Sequence, residues 1–196
     1  MCKKLILASQ SPRRKQLLEE SGLDFGICSE KVEEVYRKEL GKEKAIEQIA
    51  YDKADAVFRK YPEAIVLGAD TMVCFQEHRL GKPKDEEEAW SMLHMLSGQT
   101  HEVITGVALL SKEKQIVFHA TSEVTFYELS EQMIDDYIKS EEWKDKAGAY
   151  GIQGLGKLFV RSIHGDYFNI VGLPIAKVYR EIRNMQNSIE KPDFRG

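Results

Sequence analysis

Apolar positions along the chain fall into short continuous blocks separated by helical stripes. Leu5, Ile6, Leu7 and Ala8 form one such block, which predicts a buried strand over 4–8. Ser11 then suits a helix cap and Pro12 the first helical position. Leu17 and Leu18 supply the apolar stripe, and Gly22 stops the helix. A second strand is predicted over 23–28. A longer helix is predicted over 42–60, with Ile46, Ile49, Ala50, Ala54, Val57 and Phe58 on one face. Residues 64–69 read as a buried strand ending at Asp70, and 72–80 as a strand pair turning at Gln76-Glu77-His78. Asp85 and Glu88 form a capping box for a helix closed by Ser97-Gly98. Alternation over 103–110 and 115–129 predicts antiparallel strands joined by a turn at 111–114. Ser130 caps a helix bearing Met133, Ile134, Tyr137 and Ile138. Residues 150–163 read as loop plus strand, and Pro174 opens a last helix through Ile175, Val178 and Ile182. The mixture predicts an α/β fold built on a mixed sheet flanked by helices.

Composition sharpens this mainly by exclusion. With 196 residues and 42% hydrophobic content, the chain suits one domain over 1–186, with a tail over 187–196 expected to fray. No stretch approaches the roughly 18 apolar residues of a membrane span. Residues 1–8 are too short for a signal peptide, and Cys2, Cys28 and Cys74 show no metal-binding spacing. Both features predict a reducing, cytoplasmic setting. A net charge of −4 argues against stable nucleic-acid binding. A phosphate ligand would therefore require locally gathered cations.

Such a gathering exists at the first helix. Its opening turn carries Arg13 and Arg14, although the positive end of a helix dipole disfavours cations. An anion bound there by backbone N–H groups, the Ser9 and Ser11 hydroxyls and the guanidinium groups would resolve the conflict. The alternative is a solvated basic turn. Asp70 follows a β-branched apolar run, so it is expected at the C-terminal end of a strand, where α/β folds bind ligands. There it would hold a divalent cation, orient a water, or simply cap a turn. Gly68 admits a close approach by a ligand or another backbone. Lys53 lies on the apolar stripe of its helix, where it must either snorkel or meet an anion. Lys82 sits in a stiff Gly-Lys-Pro turn. Glu33 and Glu34 lie in an acidic loop that could add a carboxylate to a metal. The segment from Gly148 to Gly156 holds four glycines and Gln153, whose amide can read the edge of a base. Walker A, GxGxxG, HExxH and GxSxG patterns are all missing.

In order, these segments are Leu-Ala-Ser-Gln-Ser-Pro-Arg-Arg (7–14), Gly-Ala-Asp-Thr-Met-Val (68–73) and Leu-Gly-Lys-Pro (80–83). Then come Met-Leu-His-Met-Leu-Ser-Gly-Gln-Thr-His (92–101), Val-Ile-Thr-Gly-Val (103–107), Asp-Lys-Ala-Gly-Ala-Tyr-Gly-Ile-Gln-Gly (145–154) and Asn-Ile-Val-Gly-Leu-Pro (169–174). Over nearly its whole length the chain resembles the Maf-type nucleoside triphosphate pyrophosphatases, also called septum formation inhibitor Maf proteins. The resemblance implies an elongated, two-lobed fold with a nucleotide cleft between the lobes, and a homodimer. It implies hydrolysis of a nucleoside triphosphate to monophosphate and pyrophosphate with Mg²⁺, Mn²⁺ or Co²⁺, and the branch that looks closest acts on dTTP and UTP. By the same resemblance Asp70 matches the family's proposed general base and Glu33 a polar position of the cleft; joined to the chemistry of the residues themselves, this makes Asp70 a base or a metal ligand and Glu33 a further metal ligand. Arg13, Thr71 and Gln153 govern base choice. Ser9, Ser11, Arg13, Arg14, Lys53 and Lys82 are the expected phosphate contacts. Two rival readings are the same chemistry on 7-methyl-GTP and a non-catalytic cell-division regulator.

Overall fold

The computed structural model describes residues 3–187; the predicted tail, apart from Asn187, lies outside the described residues, as does Cys2. The strands are β1 (Leu5–Leu7), β2 (Phe25–Ile27), β3 (Ile65–Phe75), β4 (His78–Leu80), β5 (Thr100–Leu110), β6 (Gln115–Phe126) and β7 (Val160–His164). The helices are α1 (Pro12–Glu20), α2 (Gly41–Phe58), α3 (Glu86–Leu96), α4 (Glu131–Lys139), α5 (Tyr167–Val171) and α6 (Ile175–Asn187). Strand order is β2-β1-β3-β5-β6-β7, with β4 paired to β3. β1 runs parallel to β2 and β3, whereas β3–β4 and β6–β7 are antiparallel, so the sheet is mixed. Among the described residues no helix is long and apolar enough to cross a membrane.

The chain divides into two compact units: Met1–Asp70, Gly106–His119 and Gly172–Gly196 in the first, Thr71–Thr105 and Ala120–Val171 in the second. In the first unit α2 packs on strands through Ala50, Ala54 and Val57, against Ile6, Ala8, Val66, Ala108 and Leu110. Two glycines allow this approach. A Cβ on Gly68 would lie 2.4 Å from the Ala50 carbonyl oxygen, and one on Gly106 would lie 2.4 Å from that of Ile46. The close approach expected at Gly68 is therefore made by the α2 backbone. It draws the one lysine on the apolar stripe of α2, Lys53, against β3.

The second unit is built on aromatic contacts. Phe126 packs edge-on against His101, Tyr150 and Phe159, and Tyr137 packs on Phe159. Both tryptophans lie in this unit. Trp90 of α3 donates to Asp135 of α4, while buried Trp143 donates to the Ile138 carbonyl.

The predicted caps form. Ser11, Asp85 and Ser130 each accept from the backbone N–H three residues on, and Glu88 answers Asp85 by accepting from Lys84 N–H. One boundary differs with consequence. Residues 64–69 and the start of 72–80 are a single strand, β3, so Asp70 sits mid-strand rather than at a strand end. The reason is its unequal neighbours. β1 covers β3 only as far as Leu67, and β4 pairs with it from Val73 to Phe75. Asp70 thus lies just past the C-terminal limit of the parallel pairing, the ligand-binding position of α/β sheets.

Candidate active site

In the first unit, the turn before α1 brings its polar groups into one hydrogen-bonded set. Ser9 Oγ accepts from Ser11 N–H (3.2 Å) and from Arg14 Nη1 (3.2 Å). Ser11 Oγ accepts from Arg14 N–H. Both hydroxyls thus use lone pairs inside the protein and keep an O–H to donate, the polarity an anion requires. The two arginines separate. Arg14 is buried, and its Nε donates to the Gly172 carbonyl at 2.8 Å, tying α1 to the segment before α6. Burial pulls its pKa below the usual value, and neighbouring Arg13 adds to that, against the opposing pull of Asp70 and Glu34. Arg13 is half-buried.

The centre of this unit is an ammonium between two carboxylates. Lys53 Nζ lies 2.6 Å from Asp70 Oδ1 and 2.7 Å from Glu34 Oε1. Side-chain exposure is 18% for Lys53 and 16% for Asp70, so the pair is screened but reachable; Glu34 is at 55% and reaches in from its loop. The lysine meets an anion rather than snorkelling. Of the two adjacent glutamates it is Glu34 that makes this contact, while Glu33 is exposed.

The second unit holds the other expected residues. Gly148 N–H donates to the Gly81 carbonyl (3.1 Å), which joins the glycine-rich loop to the Lys82 turn. Lys82 Nζ lies 3.7 Å from Asp145 Oδ1, an exposed and weak pairing. Gly148 adopts φ 68°, the left-handed turn that glycine favours, and Gln153 is exposed on the turn that follows. Thr71 is half-buried and hydrogen-bonds Thr105 at 2.9 Å. Thr105 and Asn169 were not singled out by the sequence reading, though both lie in quoted motifs. Their signal was a polar residue inside an otherwise apolar run.

Fold and site define an α/β protein with a helix start lined by serine hydroxyls and arginines and a lysine-bridged pair of carboxylates. The chain belongs to the Maf-like protein family, whose model matches residues 4–185. It is 52% identical over 183 residues to a dTTP/UTP pyrophosphatase of Geobacillus sp. (strain WCH70), covering 93% of this chain and 98% of that one. It is 51% identical to a dTTP/UTP pyrophosphatase of Bacillus cereus (strain G9842), covering 92% and 95%. A dTTP/UTP pyrophosphatase of Bacillus cytotoxicus is also 51% identical, with 94% and 97% covered. Among solved structures, that of the Staphylococcus aureus Ham1 protein aligns with a TM-score of 0.45 and 15% identity, over 63% of this chain and 72% of that one.

Proposed function

We propose that this chain hydrolyses nucleoside triphosphates, dTTP and UTP foremost, to the monophosphate and pyrophosphate. The observation that carries the reading is the Lys53–Asp70 pair, a carboxylate fixed at 2.6 Å by an ammonium within the unit that holds the Ser9–Arg14 anion turn. Relatives at about half identity over almost the full chain bear the name dTTP/UTP pyrophosphatase.

Asp70 takes a proton from water. The water oxygen bonds to the α-phosphorus, the bridging P–O bond to the β-phosphate breaks, and its electron pair leaves with pyrophosphate. Arg13, Lys53 and Lys82 meet the charge that accumulates on the phosphates, and the Ser9 and Ser11 hydroxyls donate to phosphate oxygens. Arg14 holds Ser9 and the turn in place. Arg13, Thr71 and Gln153 set base choice. The donor set suits a hard divalent cation: Asp70 and Glu34 already bring two carboxylate oxygens to one positive charge. Among the described residues no group of three or more His, Cys, Asp or Glu gathers. A pair of carboxylates is compatible with Mg²⁺ or Mn²⁺, whose shell water and substrate phosphate would complete. Bound there, such an ion would neutralise phosphate charge and lower the pKa of water.

The test is hydrolysis of dTTP and UTP in ¹⁸O-water with each of Mg²⁺, Mn²⁺ and Co²⁺, beside a panel including CTP, GTP and 7-methyl-GTP. Label in the monophosphate and stoichiometric pyrophosphate are expected. Label in pyrophosphate, or no release from any nucleotide, would overturn the reading.

A further inference from the structure

A buried polar chain runs through the second unit from Thr71 to α5. Thr71 Oγ1 and Thr105 Oγ1 are 2.9 Å apart, and Thr105 Oγ1 donates to the main-chain carbonyl of Asn169 at 3.0 Å. Asn169 spends both amide hydrogens, on the Val103 carbonyl and on Ser122 Oγ, each at 2.9 Å. Ser122 Oγ in turn donates to the Asp166 carbonyl at 2.9 Å. Thr105 and Asn169 are fully buried and Ser122 nearly so.

Proton counting gives this chain one direction. A hydroxyl has a single hydrogen. That of Ser122 goes to Asp166, so Ser122 accepts from Asn169. That of Thr105 goes to the Asn169 carbonyl, so the hydrogen shared by the two threonines belongs to Thr71. Whatever else Thr71 Oγ1 meets, it meets as an acceptor. The β-branched side chains of Thr71 and Thr105 restrict χ1, which holds this polarity in a fixed orientation.

We propose that Thr105 and Asn169 are positioning residues for substrate choice: they commit the Thr71 hydroxyl to accepting, which favours a base that presents an N–H. Uracil and thymine carry an N3–H, whereas cytosine carries a lone pair at N3. This rests on the assignment of Thr71 to base choice made above. Without the Thr105 hydroxyl, the Thr71 hydrogen is released to rotate and can donate to an acceptor such as the cytosine ring nitrogen.

The experiment compares kcat/KM for UTP and CTP in the wild type, Thr105→Val, Thr105→Ser and Thr105→Ala, with thermal melts on each. Thr105→Val should shift the UTP-to-CTP ratio toward CTP by about fivefold or more, the worth of one hydrogen bond. Thr105→Ser restores the hydroxyl and should keep the wild-type ratio. A purely structural role would lower the melting temperature and scale both substrates together; that result, or an equal shift in Thr105→Ser, overturns the proposal. If Thr105→Val does not fold, Thr105→Ala, which removes the same hydroxyl with less bulk, decides: a shift toward CTP supports the proposal and an unchanged ratio overturns it. A wild type that cleaves neither substrate fails at the earlier step, sinking the pyrophosphatase reading and this inference with it.

Discussion

The ammonium of Lys53 stands 2.6 Å from the carboxylate of Asp70, joining the buried face of α2 to the middle of β3. Lysine on an apolar stripe must lose hydration, and here two carboxylates replace it. Asp70→Asn keeps the size of the side chain but removes the proton acceptor. Turnover should fall by about 10²–10⁴-fold with the melting temperature little changed. Near-normal turnover in a folded variant would remove Asp70 from the chemistry. Lys53→Gln should lower kcat/KM by about 10²-fold, since it deletes a charge aimed at the developing pyrophosphate.

Arg13 and Arg14 are adjacent but should fail differently. Arg14→Ala leaves the Gly172 carbonyl and Ser9 without their guanidinium partner and should destabilise the fold by about 2–3 kcal/mol. Arg13→Ala should leave stability within about 0.5 kcal/mol and raise KM for nucleotide. Urea denaturation together with substrate titration separates the two; equal stability losses would contradict the division.

Gly68→Ala tests how α2 reaches the sheet. The added carbon would stand 2.4 Å from the Ala50 carbonyl and 2.8 Å from the Ala54 Cβ. Backbone cannot yield as a side-chain tip does, so about 1–3 kcal/mol of stability should be lost. Because α2 carries Lys53, turnover in the folded fraction should fall as well. A stable variant with normal kcat would show that α2 can shift without disturbing the Lys53–Asp70 pair.

His101 should give the protein an acid-sensitive stability. Its ring sits against Phe126 and Tyr150, with Nε2 2.8 Å from the Tyr150 hydroxyl, and burial pulls its pKa down to about 4. An unfolded histidine titrates near 6.5. Between those values the unfolded chain binds a proton that the folded chain refuses, so stability drops as pH falls through that window. The loss should reach about 2–3 kcal/mol by pH 4.5. His101→Gln, which retains a polar atom for Tyr150 but does not titrate, should flatten this slope in urea melts at pH 7 and 4.5. An unchanged slope would assign the acid response to other groups.

Much of the fold was legible where local chemistry decides it. Ser11, Pro12, Asp85 and Ser130 marked helix starts because a capping side chain and a fixed φ act within one turn. β3 was read as two pieces because Asp70 and Thr71 interrupt its apolar run, and only its pairing with β1 and then β4 shows that the strand continues. α5 was missed; its five residues carry too little periodicity to signal a helix. In the candidate site the residue types were legible, since a misplaced arginine pair and a lysine on an apolar stripe are local contradictions. Partner identity was not. That Glu34 meets Lys53, and that Arg14 turns to Gly172 158 residues away, depends on chain crossings that spacing does not encode.

Trp90 and Trp143 share one compact unit, and the chain has 2 tryptophans in all. Tryptophan emission is therefore a local thermometer: it registers the melting of the aromatic half alone and is blind to the half that carries Asp70, Lys53 and the arginine turn. Far-ultraviolet dichroism sees both. Overlaid melting curves from the two signals would report whether the halves unfold in one cooperative step or in sequence, with no label and no substitution.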